Sequence, residues 1–251
     1  MKPDEKRNPG TKRNIIILIG VAIAAAILVV AYAAGVFKGE EVHYNPIINP
    51  DDFVSQVDNA YFPLVPGTTF VYEGVSEDGF ERNEMAVTNQ TKEIVGVTCT
   101  VVWDRVWLNG SLVEETYDWY AQDKNGSVWY FGEDSKEIEN GVVVSTEGSW
   151  EAGVGGAKPG IILMGQSVVG EVYRQEYLKG EAEDMAEVLT LNATASVPSM
   201  TYTNCLQTKE WTPLEPGIVE SKFYALGVGL VKETTIEGGT GYMDLIDILV
   251  F

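Results

Sequence analysis

Residues 117–134 read YDWYAQDKNGSVWYFGED, and this stretch decides the fold class. Two runs that alternate between aromatic and polar residues flank Asp123-Lys124-Asn125-Gly126, a sequence typical of a type I turn followed by a left-handed glycine. The turn predicts a β-hairpin in which position 121 pairs with 129 and position 119 pairs with 131. Side chains at paired positions lie on the same face of a sheet.

One face of this hairpin is too apolar to be exposed to water. Its residues are Tyr117, Trp119, Ala121, Trp129 and Phe131. The opposite face carries Asp118, Tyr120, Val128 and Tyr130. Two interpretations stay open: the apolar face packs in the core, or it lines a cavity for an apolar ligand. In the second, Tyr117, Trp119, Trp129 and Phe131 hold the ligand and the loop around Trp150 covers it.

Strand-like alternation continues through the rest of the chain, with turn signals such as Asn109-Gly110 and Asn140-Gly141 between the runs. Strands are predicted at 68–75, 80–88, 92–107 with a break at Gly96, 111–121, 127–132, 137–145, 168–178, 185–197, 200–211, 217–225, 229–236 and 242–250. The stretch 146–167 is the long irregular connection. The sequence predicts an all-β domain over 61–251, a strongly curved antiparallel meander forming a half-barrel, an open barrel or a sandwich.

The N-terminal part has a different composition. Ile15 to Phe37 contains no charged residue in 23 positions, which is long enough to span a bilayer as a helix. Basic residues precede it, so we predict a cytoplasmic tail over 1–14, a single-pass signal anchor over 15–37, a stalk over 38–60 and an extracytoplasmic domain. Cleavage after Ala33, at the small-x-small pattern Ala31-Tyr32-Ala33, is the alternative.

Charge restricts the partners. Residues 1–37 carry five basic and two acidic residues, which leaves 12 basic and 35 acidic residues in the remainder. A part with a net charge of −23 is repelled by phosphate backbones, so nucleic acid is not an expected partner. The expected partners are the membrane, through the N-terminal helix, and an apolar small molecule or an envelope component.

Catalytic motifs that need histidine are not available. His43 is the one histidine of the chain and lies in the predicted stalk, which excludes a Ser-His-Asp or Cys-His arrangement within the β domain. Paired carboxylates can hydrolyse glycosides without histidine, so a glycan hydrolase is the alternative function. The favoured prediction is a domain without catalysis.

Three further groups of residues suggest sites. Cys99 and Cys205 predict a disulfide if they lie outside the cytoplasm, and two buried free thiols are the alternative.

No cofactor is predicted except Ca²⁺. The candidate calcium ligands are in one acidic run, Glu181, Glu183, Asp184 and Glu187, and a solvated acidic turn is the alternative interpretation of that run. If Ca²⁺ binds there, the domain would be a calcium-dependent adhesion or scaffold module. Four Asn-x-Ser/Thr sequons, usable only in a host that glycosylates exported proteins, are Asn89, Asn109, Asn125 and Asn192.

Several strings together resemble an uncharacterised family of exported bacterial and archaeal proteins, many of them lipoproteins. The matching strings are NAYFPLVPGTTFVYEG (59–74), YDWYAQDKNGSVWYFGED (117–134), GSWEAGVGGAKPGI (148–161), YRQEY (173–177), GEAEDMAEV (180–188), EWTPLEPG (210–217) and GVGLVKE (227–233). The last string is also similar to the end of LolA/LolB-like half-barrels. The resemblance implies an exported β-rich protein without an established activity, and the half-barrel likeness implies a curved sheet that shields acyl chains. The expected role is binding or envelope-structural.

Overall fold

The computed structural model describes residues 44–251, which form an almost purely antiparallel β-structure. One 3-10 turn, Pro50–Asp52, precedes the strands. In chain order these are β1 (Phe53–Val54), β2 (Val57–Asn59), β3 (Phe62–Leu64), β4 (Thr68–Ser76), β5 (Gly79–Ile94), β6 (Val97–Leu108), β7 (Ser111–Asp123), β8 (Val128–Glu139), β9 (Val142–Ser145), β10 (Trp150–Glu151), β11 (Lys158–Leu163), β12 (Val172–Arg174), β13 (Glu176–Tyr177), β14 (Met185–Val197), β15 (Met200–Trp211), β16 (Val219–Ala225), β17 (Gly229–Glu237) and β18 (Tyr242–Val250).

Thirteen of these strands form a nearly closed barrel in the order β12-β14-β15-β16-β17-β18-β4-β5-β6-β7-β8-β11-β13. Most neighbours are consecutive in the chain, as a meander requires, and the pairing of β18 with β4 joins the last long strand to the first. The prediction of a strongly curved antiparallel sheet is therefore confirmed, and among the three predicted forms the barrel is the one observed.

The two ends of this order meet at one place, which we call the seam: residues 172–177. There β12 pairs with β14, while β13, two residues later, pairs with β11 on the other edge. Gly160 of β11 lies so close to the seam that an added Cβ would be 2.2 Å from the carbonyl carbon of Gln175. A side chain at position 160 would therefore prevent the strands from meeting.

The hairpin turns explain why the strand predictions succeed. Asn109-Gly110 and Asn140-Gly141 have positive φ at both positions, as a type I′ turn needs. Asp123 accepts hydrogen bonds from the amides of Asn125 and Ser127, which confirms the predicted turn of the opening hairpin. The predicted strands 185–197, 200–211 and 242–250 have the bounds of β14, β15 and β18.

Several stretches differ from the prediction. The predicted strands 127–132 and 137–145 are one strand, β8, followed by β9; residues 92–94 belong to the end of β5; and the predicted strand 168–178 contains only the short β12 and β13. The connection 146–167 contains β10 and β11, which extend the sheet beside β8. The described part of the predicted stalk does not extend away from the domain, because β1 pairs with β7, and Tyr44 donates a hydrogen bond to the carbonyl of Pro159 at 2.9 Å. Residues 44–60 thus pack on the barrel and cover apolar surface that would otherwise be exposed.

The predicted anchor Ile15–Phe37 and the histidine at position 43 lie outside the described residues. In the part of the chain that the structure covers, no helix has the length and apolar character needed to cross a bilayer.

Candidate functional site

The opening hairpin has two buried faces rather than one. Ala121 pairs with Trp129 as predicted, and Tyr120 pairs with Tyr130. A bulge between Asp118 and Tyr120 then shifts the register, so that Asp118 lies opposite Glu133 and the predicted pairing of 119 with 131 is not formed. The opposite face, with Asp118 and Tyr130, points into the barrel and is as buried as the apolar one.

The five residues predicted to hold an apolar ligand are not gathered at one site. Trp119 is buried beneath the Lys92 ammonium, which lies 3.3 Å from its ring centroid. Phe53 packs edge-on against both Trp129 and Phe131, at centroid distances of 6.2 and 5.5 Å. These rings are therefore in contact with the chain's own side chains, which agrees with the core interpretation of that face.

The other two predicted ligand residues lie elsewhere. Trp150 packs edge-on against Tyr130 inside the barrel and donates its indole N–H to Glu176 Oε2 at 3.0 Å. Tyr117 is half-buried on the outer surface, stacked beside Trp103. The loop around Trp150 thus does not lie over Tyr117.

The barrel interior is lined by acidic side chains contributed by strands from all around the sheet. Its buried acids are Glu81, Asp104, Glu114, Asp118, Glu133, Glu176, Glu210 and Glu233. Phe62 contacts both Tyr120 of β7 and Tyr224 of β16, which places these two strands across the interior from each other. Acidic residues are rarely buried without partners, so the way these are neutralised is the central property of the site.

On one side of the interior the acids are held by neutral donors. Tyr130 donates its hydroxyl to Asp118 at 2.6 Å, and Asn83 donates to Asp104 at 2.5 Å. Burial raises the pKa of Asp118 to about 7 and that of Glu114 to about 8. A carboxyl removed from water favours its neutral form, so these groups hold protons well above the ordinary pH range of carboxyl titration.

On the other side lies a lysine, the one that residues 44–251 contribute to the interior. Lys222 Nζ is 3.0 Å from Glu210 Oε2 and 3.5 Å from Glu233 Oε2. Burial alone lowers the pKa of Lys222, but Glu210 and Glu233 raise it well above its ordinary value. Lys222 therefore stays charged and balances the acids closest to it.

Glu133 has no such partner. It is 1% exposed, and neither carboxylate oxygen has a hydrogen-bond partner among the described residues. Burial, followed by repulsion from Asp118 and Glu176, raises its pKa well above the usual range, and the nearby Tyr130 hydroxyl, which is donated to Asp118, opposes this rise only weakly. An unpaired buried carboxylate would be very costly, so Glu133 is held in its neutral form.

The outer surface of β6, β7 and β8 has the opposite character. Here Lys136, Tyr117, Trp103, Arg105 and Trp107 form a continuous half-buried series, which we call the outer row. Tyr117 and Trp103 are stacked 6.1 Å apart at an interplanar angle of 8°, and the Arg105 guanidinium lies 3.9 Å from the Trp103 ring. Arg105 also lies 5.1 Å from Trp107, and Lys136 Nζ lies 5.2 Å from Tyr117. Alternating rings and cations stabilise each other through cation–π contacts.

Carboxylates flank the outer row at its edges. Trp103 donates its indole N–H to Glu115 at 3.0 Å, and Arg105 donates to Glu84 at 2.8 Å. The row therefore presents aromatic edges, hydrogen-bond donors and carboxylate acceptors together at the surface, which is the mixture that binding surfaces use for orientation and contact.

The predicted calcium ligands do not converge. Glu181 is exposed, while Glu183 accepts a hydrogen bond from the amide of Gly180. Asp184 interacts with the interior groups Lys222 and Glu210, and burial raises its pKa to about 6. Glu187 lies on β14, opposite Lys209. Within residues 44–251, no three Asp, Glu, His or Cys side chains are close enough together to hold a metal ion.

The predicted disulfide is wrong. Cys99 and Cys205 are both buried free thiols, on β6 and β15, with five strands between these two in the sheet order. A disulfide needs Cα atoms within about 7 Å, which this placement does not provide. Burial raises the pKa of Cys99 to about 12, so its reactive thiolate is suppressed.

All four predicted sequon asparagines, Asn89, Asn109, Asn125 and Asn192, have exposed side chains. Asn109 Nδ2, the atom that would carry a glycan, donates to the carbonyl of Asp78 at 3.2 Å. Glycosylation of Asn109 would therefore compete with that hydrogen bond.

Sequence reasoning missed both the acidic interior and most of the outer row. One signal was present in β6, where Val102, Asp104 and Val106 alternate with Trp103, Arg105 and Trp107. Both alternating sets contain large apolar residues, which indicates a strand buried on both faces. The aspartate between two valines is then an interior residue.

Comparison with known proteins gives no family. No family model matches the chain, and no curated protein matches it. A "putative exported protein with YmcC-like fold" from Bacteroides fragilis superposes with a TM-score of 0.46 at 15% identity, over 76% of this chain and 99% of that one. A "putative lipoprotein" from Parabacteroides distasonis superposes with a TM-score of 0.41 at 11% identity, over the same shares. At these values neither structure carries an argument about function, and the resemblance to exported proteins stays a prediction.

Proposed function

We propose that this chain is a non-catalytic binding module outside the cytoplasm, tethered by Ile15–Phe37, and that it binds an uncharged envelope glycan at the outer row. The proposal depends on the difference in solvent access between the interior acids and the aromatic residues of the outer row. The acidic groups that could perform chemistry are enclosed in the barrel, whereas Trp103, Trp107 and Tyr117 are half-exposed beside polar groups.

The charge of the surface supports an uncharged ligand. Around the row, Arg82, Arg105 and Lys136 are paired with Glu73, Glu84 and Asp134 through ion pairs of 2.7 to 3.0 Å. The local charge is therefore close to balanced, while the domain as a whole is strongly acidic and repels polyanions. Sugar rings offer C–H groups to aromatic surfaces and hydroxyls to carboxylates and guanidinium groups, so a neutral polysaccharide fits this mixture.

The glycan hydrolase alternative has less support. A glycosidase needs two carboxyl groups on either side of a substrate-sized space. The carboxyls with raised pKa values, such as Asp118 and Glu114, are enclosed by the barrel wall and engaged with Tyr130 and Thr116. A polysaccharide would reach them only after the barrel opened.

The test is retention of the full-length chain, purified in detergent, on insoluble polysaccharides: peptidoglycan sacculi, chitin, cellulose and xylan. Wild-type protein should be retained on at least one, and the double substitution Trp103→Ala with Tyr117→Ala should weaken retention at least about tenfold, because each lost aromatic contact is worth on the order of 1 kcal/mol.

Trp211→Ala is the matched control, since Trp211 is also a half-buried outer tryptophan with a lysine, Lys209, 5.2 Å from its ring. It should leave retention unchanged. Absence of retention on all four polymers, or equal loss in the Trp211 variant, would contradict the proposal. Release of soluble sugar by wild-type protein would favour the hydrolase instead.

A further inference from the structure

The seam contains the join with the fewest residue pairs in the barrel wall, that between β13 and β11. Three residue pairs connect β12 to β14, and two connect β13 to β11. One of those two involves Pro159, which has no amide hydrogen to donate to the ladder. By comparison, ten residue pairs connect β14 to β15. Local opening takes place where few hydrogen bonds must break, so the seam is where this barrel would open first.

Acidic groups are concentrated directly behind the seam. Glu176 belongs to the seam itself, is 1% exposed and accepts the indole N–H of Trp150. Asp184 lies beside it, and its carbonyl accepts the amide of Gln175 at 2.8 Å. Asp184 Oδ1 is buried without a hydrogen-bond partner among the described residues.

The carboxylate of Glu176 accepts hydrogen bonds from the Trp150 indole and the Asp184 amide, which favour its ionised form, but burial and the Asp184 carboxylate raise its pKa by more. The groups that face it are Asp184, Glu133 and Tyr130 of β8, Trp150 of β10 and Lys222 of β16. Asp184 in turn accepts a hydrogen bond from the Thr212 side chain and faces Glu210 of β15, Glu220 of β16 and Glu215 of the loop between them. Lys222 is the one cation in this set, and it is already engaged by Glu210 and Glu233.

We propose that the seam is a proton-controlled gate, closed while Glu176 and Asp184 are protonated and opened when both ionise, so that Trp150 and Tyr130 become accessible from solvent. The direction follows from the charges: ionisation would place two carboxylates side by side against the join that has the fewest residue pairs. The pKa of each is raised, in both cases first by burial, so the closed state binds protons that the open state releases. The gate does not depend on glycan binding at the outer row.

The test is amide hydrogen exchange of the full-length chain from pH 5 to pH 8.5, with protection corrected for the intrinsic pH dependence of exchange. Protection of 158–163 and 172–177 should fall at least about tenfold more than protection of the β14–β15 hairpin, since one unit of pKa difference corresponds to a factor of ten. Glu176→Gln should keep at pH 8 the protection that wild type has at pH 5, and Asp184→Asn should act in the same direction.

Glu171→Gln is the control, because Glu171 adjoins the seam without being buried in the interior. In this variant, amide protection of the seam should depend on pH as it does in the wild-type protein. If Glu176→Gln fails to fold, the exchange measurement on Asp184→Asn is the test of the proposal. Equal loss of protection in all strands, a seam without pH dependence, or an effect of Glu171→Gln as large as that of the tested variants would overturn the proposal.

Discussion

The inner and outer faces of β6–β8 use charge in different ways. On the outer face, Arg105 and Lys136 pair with carboxylates and aromatic rings at the surface, and solvent reduces the free energy of each pair. On the inner face, Asp104, Asp118 and Glu133 are buried, and Asp118 lies close to both of the others. The difference teaches that the outer face is stabilised by pairing, whereas the inner face is stabilised by holding protons.

Among substitutions, the largest effect should come from the seam that encloses the inner face. Gly160→Ala would put a Cβ within 2.2 to 2.5 Å of the backbone of Gln175 and Glu176. We expect a loss of about 4 kcal/mol or more in the free energy of unfolding, measured by urea denaturation, because backbone must move to relieve the clash. Gly239→Ala, whose nearest neighbours would be at 3.5 Å, is the control and should change stability by less than about 1 kcal/mol. Similar effects of the two variants would show that the seam does not hold the barrel closed.

Among substitutions, the second largest effect should be seen when an interior lysine and an outer lysine are each replaced with methionine and the losses in the free energy of unfolding are compared. Lys222→Met removes the interior cation and leaves Glu210 and Glu233 without it, so the free energy of unfolding at pH 8 should fall by about 3 to 5 kcal/mol. The loss should be smaller at pH 5, where Glu233, whose pKa burial raises well above its usual range, can hold a proton instead. Lys136→Met on the outer row should cost less than about 1 kcal/mol at either pH. Equal losses for the two variants would remove the distinction between the faces.

The pH dependence of stability is the third expectation. The native pKa values of Asp184, Asp118 and Glu114 are raised by burial to about 6, 7 and 8, above the ordinary carboxyl values near 4 of the unfolded chain. The native state therefore binds more protons than the unfolded state between about pH 4 and pH 8, and stability falls as pH rises through that window. The free energies of unfolding at pH 5 and pH 8, measured by urea denaturation, should differ by on the order of 7 kcal/mol in favour of pH 5, because the three native pKa values lie about one, two and three units above pH 5. Greater stability at pH 8 would mean that the inner acids are charged and paired.

Local sequence signals predict most of the long strands because the turn residues and the alternation of each hairpin lie within that hairpin's own sequence. The Asn-Gly turns require positive φ, and the flanking residues alternate, so strands such as Met185–Val197 are defined by their nearest neighbours in the chain. Closure of the barrel at the seam is not determined by residues that are neighbours in the chain. The seam strands have two and three residues, too few for any period to appear, and their partners are distant in sequence.

The candidate sites were harder to predict than the fold for a related reason. Alternation separates two faces but does not say which face is enclosed, and acidic residues are normally assigned to solvent. In this chain Asp118 and Tyr130 lie on the enclosed face, and the bulge next to Asp118 brings it opposite Glu133. The outer row depends on cross-strand neighbours, such as Trp103 opposite Tyr117, that become visible only when the register is known.

Infrared and carbon-13 NMR titration of selectively labelled glutamate side chains in the full-length protein would test the central claim most directly. With Glu133→Gln used to assign the signal of Glu133, the protonated carboxyl resonance of this residue should persist at pH 6 and above, whereas a glutamate carboxyl in water has an ordinary pKa near 4. A Glu133 carboxyl that titrates near this ordinary value would contradict a proton-holding interior.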